Sequence, residues 1–158
     1  MNFLKFVLII WTLIGTSWAL IPKNSPKLGT ELKIFLKEKK DLKKIDATTY
    51  SEKIGDETYT YYFSKMKLAE ITIENVNQKN TLEWMKDKKF VLRRLSRSTD
   101  QPAQDFLLIE VQSGLEITCE FPLKIKKVSK KGKKIEITQS KSLQEVLNEL
   151  TSPEVIKK

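Results

Sequence analysis

Leu115, Ile117, Cys119, Phe121, Leu123 and Ile125 occupy every second position of one continuous run, while Glu116, Thr118, Glu120, Lys124 and Lys126 fill most of the positions between them. A period of two puts all the apolar side chains on one face of an extended chain and the polar ones on the other. Such a run is stable as a strand with one face buried, and not as a helix. Pro122 interrupts the run with a residue that cannot donate to a ladder, which implies a bend or a sheet edge there.

The same period recurs along the chain. Leu32, Ile34 and Leu36 alternate with Lys33, Phe35 and Lys37, a strand pattern. Tyr59, Tyr61 and Phe63 oppose Thr60, Tyr62 and Ser64, and Ala69, Ile71 and Ile73 oppose Glu70, Thr72 and Glu74. These two runs are close enough to pair as a hairpin through Lys65 to Leu68. Phe90 to Leu95 is strand-like, and Phe106 to Ile109 is apolar on both parities, as expected of a strand covered on both faces. Ser113-Gly114 marks a turn. Ser129 to Gly132 reads as a further turn, with Ile135 and Ile137 completing a hairpin beyond it.

Two segments carry helix signals. Asn80 with Glu83 three residues on resembles a capping start for a short helix to about Lys88. Ser142 with Glu145 is a capping box ahead of Leu143, Val146, Leu147 and Leu150 at helical spacing, and Pro153 ends that helix. Lys39 to Lys44 reads as a solvated connection. The expected fold is therefore mainly β (α+β): an antiparallel sheet of about seven strands, a sandwich or partial barrel, with one C-terminal amphipathic helix on the sheet.

The amino terminus carries a different signal. Lys5 precedes an apolar stretch from Phe6, and Ser17 and Ala19 place small residues where a signal peptidase reads them. Cleavage is expected after Ala19, residues 20–29 then forming an extended leader and residues 30–158 a single mainly β domain. If uncleaved, residues 6–22 are only just long enough to reach across a bilayer and would act as an anchor. Removing residues 1–19 takes Lys5 and lowers the formal charge from +9 to +8. A lone cysteine excludes a disulfide framework, and no Asn-x-Ser/Thr site with a permitted middle residue occurs. These features point to a periplasmic or secreted protein of a bacterial envelope.

The chain has no histidine and only five glycines. Histidine-based catalysis and histidine metal sites are thereby excluded, and no phosphate-cradling glycine motif occurs. No catalytic, cofactor or metal residue is assigned. Cys119 shares the parity of Ile117 and Phe121, where a thiol behaves as a small buried hydrophobe. Glu116 and Glu120 share a strand face but stand too far apart along it to act as a glycosidase pair without a cross-strand partner such as Glu70, Glu74 or Glu136. Tyr59, Tyr61, Tyr62 and Trp84 suit either a ligand groove or sheet packing. Arg93, Arg94 and Arg97 beside aromatics would suit single-stranded nucleic acid, a partner an exported chain rarely meets.

The feature with most binding character is basic: Lys124, Lys126, Lys127, Lys130, Lys131, Lys133 and Lys134 gather around the expected turn. Such a tip suits an anionic partner, and it also guards a sheet edge against aggregation. The expected function is a non-catalytic binding or accessory protein of the cell envelope whose partner is an envelope protein, an anionic lipid or a glycan, with no nucleic acid and no cofactor. The alternatives are a carboxylate-based enzyme acting on an envelope glycan and a structural subunit of a membrane-anchored envelope assembly.

Overall fold

The computed structural model describes residues 20–22, 24–94, 105–132 and 139–151. Outside them lie the expected export segment 1–19, Arg97, the expected loop 98–102, Lys133, Lys134 and the expected strand around Ile135 and Ile137.

Nine strands form one antiparallel sheet that does not close on itself. In chain order they are β1 (Lys43–Lys44), β2 (Thr49–Ile54), β3 (Glu57–Ser64), β4 (Lys67–Glu74), β5 (Lys89–Arg94), β6 (Asp105–Glu110), β7 (Leu115–Glu120), β8 (Lys124–Lys131) and β9 (Lys141–Ser142). The helices are α1 (Leu32–Glu38), α2 (Gln78–Met85) and α3 (Leu143–Thr151). In space the strands run β1-β2-β3-β4-β8-β7-β6-β5-β9. The chain thus meanders to the middle of the sheet, crosses to the far side through α2, and meanders back until β8 lies against β4.

Alternation sets the two faces. Tyr59, Tyr61 and Phe63 of β3 align with Ile73, Ile71 and Leu68 of β4, and across β8 and β7 this row continues through Val128, Ile117 and Leu108. All of these side chains are buried in one continuous core. The other face carries Thr60, Thr72, Ser129 and Glu116 in register. At β6 both parities are buried, Phe106 and Leu108 in the core and Ile109 on the opposite face.

Three expectations need correction. The run from Leu32 is a helix and not a strand. Phe35 sits on the supposed polar parity, yet it is fully buried with Leu32 three residues before it, whereas Ile34 and Leu36 are 48% and 43% exposed. The Phe35 ring lies 4.9 Å from that of Tyr61 and 5.1 Å from that of Phe63, so one aromatic contact with the sheet outweighs the weak period-two signal. The glutamate before the helix makes no side-chain cap; instead the Leu32 N–H donates to the Met66 carbonyl at 2.8 Å.

The long run from Leu115 to Ile125 is two strands folded back at Phe121–Leu123, since Pro122 ends the ladder and Glu120 pairs with Lys124. Finally, Ser129 to Lys131 is not a turn but the second half of β8, paired on both sides to β4 and β7. With these changes, with β1, β2 and β9 added and the expected strand around Ile135 outside the described residues, the expected strands, about seven, become nine, and α1 joins the C-terminal helix and the short helix expected near Asn80.

Helix starts follow local chemistry. Asn77, not Asn80, caps α2, its side-chain oxygen accepting from the Asn80 N–H at 3.0 Å. The Ser142–Glu145 box forms as the sequence implies: Ser142 N–H donates to Glu145 at 2.6 Å, and Glu145 N–H donates to Ser142 Oγ at 3.3 Å. Val146 and Leu150 of α3 are buried against the β5 end of the sheet.

Before Lys127, β8 has no β4 neighbour, which leaves the Ile125 backbone without a strand on that side. The Gln78 amide takes the place of the missing strand: its Nε2 donates to the Ile125 carbonyl at 2.7 Å, and its Oε1 accepts from the Ile125 N–H at 2.9 Å. This clamp fixes α2 to the middle of the sheet.

Candidate functional site

The lysines singled out in the sequence do not form a hairpin tip. Lys124, Lys126, Lys127, Lys130 and Lys131 lie along β8, an interior strand, and Lys133 and Lys134 lie outside the described residues. A register shift at Thr118/Cys119 inserts Lys126 as an extra residue on β8.

On the open face these lysines are interleaved with carboxylates. Lys131 Nζ lies 2.7 Å from Glu116 and 3.8 Å from Glu70. Its pKa is raised, first by the hydrogen bond to Glu116 and then, against some loss from burial, by the charges of Glu70 and Glu116. Lys126 Nζ contacts Asp105 at 3.1 Å and Glu120 at 4.0 Å. Lys124 stands opposite Glu120, and Lys127 opposite Glu74. Lys130 has the other parity and lines a cavity of about 320 Å³ with Ile21, Trp84, Glu110 and Leu115. The β8 lysines are therefore split between two faces; Lys126 and Lys131 form ion pairs within the sheet, and Lys124, Lys127 and Lys130 form none among the described residues.

The other sequence candidates are placed as follows. Cys119 is fully buried opposite Phe106, and burial pushes its thiol up to about 12. Tyr59 and Tyr61 are core residues whose hydroxyls donate to Glu57 at 2.9 Å and Glu52 at 2.5 Å, and burial followed by those carboxylates holds both phenols well above their usual range. Glu52 also receives Lys39, which ties the end of α1 to the sheet. Tyr62 is on the opposite face and Trp84 is on α2, so the four aromatics do not line one groove. Arg93 is exposed on β5. Glu116 and Glu70 flank Lys131 and do not converge in a cleft. Glu110, fully buried at the end of β6, accepts from the Gln112 N–H at 3.1 Å, the Ser113 N–H at 2.6 Å and the Ser113 hydroxyl at 2.5 Å, so it builds the turn into β7.

Further unmatched positive charge gathers at α1 and the β3–β4 tip, a set that sequence spacing did not reveal. Lys33 and Lys37 are exposed one turn apart on α1, and Lys65 and Lys67 flank the tip of the β3–β4 hairpin; none of the four forms an ion pair among the described residues. The two groups adjoin, because the Leu32 N–H bonds the Met66 carbonyl and Glu31 bridges to Lys67. The one hint in the sequence was the turn itself, a Lys-Met pair where hairpins of this length favour Asn-Gly. Among the described residues no group of histidine, cysteine or carboxylate side chains is arranged to hold a metal ion, and no helix is long and apolar enough to cross a membrane.

No protein-family model matches this chain, and no curated protein or solved structure matches it either.

Proposed function

We propose that the protein is exported and serves the cell envelope as a non-catalytic binding or accessory protein that contacts an anionic partner through lysines. The observation that carries this reading is a group of exposed lysines brought together by the fold without counter-charge. On β8, Lys126 and Lys131 are spent on Asp105, Glu120, Glu116 and Glu70, and Lys124, Lys127 and Lys130 are divided between the two faces, whereas Lys33, Lys37, Lys65 and Lys67 are exposed on adjoining elements with no ion-pair partner among the described residues. Charge left unmatched at one end of a basic chain attracts anions and weakens as salt screens it. The export segment supplies the compartment, and an envelope offers anionic lipids and glycans at high density.

The test uses the mature chain, residues 20–158, on beads carrying anionic phospholipid or a polyanionic glycan. Retention on at least one matrix at 50 mM salt that falls about tenfold or more by 500 mM is the expected result. Retention that ignores salt, or none on either matrix, overturns the reading. Mass measurement of the amino terminus of the exported protein should find Leu20 first, and an intact Met1 would replace cleavage by an anchor.

A further inference from the structure

We infer that the surface made by the outer side of α1 and the β3–β4 tip is a docking face for an anionic phospholipid bilayer; this rests on, and narrows, the reading of the protein as a binder of anionic partners. Two independent features meet there. The first is charge: Lys33, Lys37, Lys65 and Lys67 are exposed and without ion pairs among the described residues, and Glu31 and Glu38 are the acidic residues at the two ends of the same helix. The second is apolar exposure among those lysines. Met66 stands 65% exposed at the hairpin tip, and Ile34 is 48% exposed between Lys33 and Lys37.

A polyanionic glycan offers charge but no hydrocarbon, whereas a bilayer interface takes lysine ammonium groups at the headgroups and apolar side chains just below them. The mixture therefore favours lipid.

The backbone of the tip adds a third argument. Lys65 and Met66 both adopt positive φ, at 50° and 64°, a conformation that costs a residue with a Cβ and that Gly and Asn accept readily. At the β2–β3 turn, at the other end of β3, Gly55 takes the positive φ of 61°. Strain held at an exposed tip, in exchange for a large apolar side chain and a lysine, is the pattern of a site used for contact.

Flotation of the mature chain with vesicles tests this. Binding is expected to vesicles containing about one-third phosphatidylglycerol and not to pure phosphatidylcholine, with each lysine contributing about fivefold. The quadruple variant Lys33→Gln/Lys37→Gln/Lys65→Gln/Lys67→Gln should bind at least about thirtyfold more weakly. A control of equal charge change with Lys124→Gln, Lys126→Gln, Lys127→Gln and Lys130→Gln should stay within about threefold; an equal loss in the control overturns the assignment to this face. Met66→Gly relaxes the turn, so it should raise the melting temperature and still lower vesicle binding several-fold. Unchanged binding in that variant removes the apolar part of the argument and with it the preference for lipid. If vesicles fail to bind while the glycan matrix still retains the protein, the bilayer is the wrong partner and the broader reading stands; if both fail, both fall.

Discussion

The Gln78 clamp gives the sharpest test of how the sheet is held together. Gln78→Ala removes two hydrogen bonds, at 2.7 and 2.9 Å, to the backbone of Ile125, a residue whose side chain is buried in the core. No strand lies beside Ile125 on that side to take over. A net hydrogen bond contributes about 0.5–1.5 kcal/mol, so the pair is worth about 1–3 kcal/mol, and partial burial of the Ile125 groups places the expected loss near about 2 kcal/mol. Alanine is a good helix former, so no propensity cost is mixed into the result. Urea unfolding of residues 20–158 should show a midpoint lowered by about 1 M at unchanged slope, since the surface exposed on unfolding is the same. The control is Gln78→Met, which keeps the length of the side chain and removes both bonds; it should match the alanine variant within about 0.5 kcal/mol. A loss below about 0.5 kcal/mol for alanine, or recovery of full stability with methionine, would refute the clamp and make Gln78 a packing residue.

Three further outcomes are expected. Lys131→Gln should cost on the order of 0.5–1 kcal/mol at pH 7, because its ion pairs with Glu116 and Glu70 are partly screened. The raised pKa of Lys131 in the fold means that this contribution is fully present below the unfolded lysine value of about 10.4 and is lost as pH rises through the folded value. The gap between wild type and variant should therefore close in strongly alkaline denaturation curves, and a constant gap would contradict the pairing. Cys119, with its thiol pushed up to about 12, should resist thiol reagents at pH 8 in the native protein and react only on unfolding, a difference read by labelling with and without denaturant. Phe35→Ala should cost about 3–5 kcal/mol by leaving Tyr61 and Phe63 without their cover, where a strand at this position would have predicted much less from so exposed a run.

The amphipathic strands β3, β4 and β7, the C-terminal capping box and the burial of Cys119 were legible because each is encoded within a few residues: alternation, or a side chain that bonds the backbone three positions away. The same locality explains the misreading of α1. Leu32, Ile34 and Leu36 satisfy a period of two by coincidence, and only the aromatic pocket over Tyr61 and Phe63, built from residues far along the chain, selects the helix that buries Phe35.

The β8 lysines show the limit most clearly. Their density is a fact of the sequence, but whether a cluster of charge is free to meet a partner depends on what stands opposite it. Pairing of β8 with β4 and β7 brings Glu70 and Glu116 to Lys131, and the fold of the chain around β7 and β8 brings Asp105 and Glu120 to Lys126. Lys65 and Lys67, less conspicuous in sequence, end at a hairpin tip beside α1 with no ion pair among the described residues, although Glu31 bridges to Lys67 through the backbone. The sequence alone thus determined which segments could be strands, that one face of them is buried, and that the chain carries an excess of positive charge. The tertiary structure decided where that excess is left unmatched, because electrostatic pairing is set by distances between strands that no local pattern records.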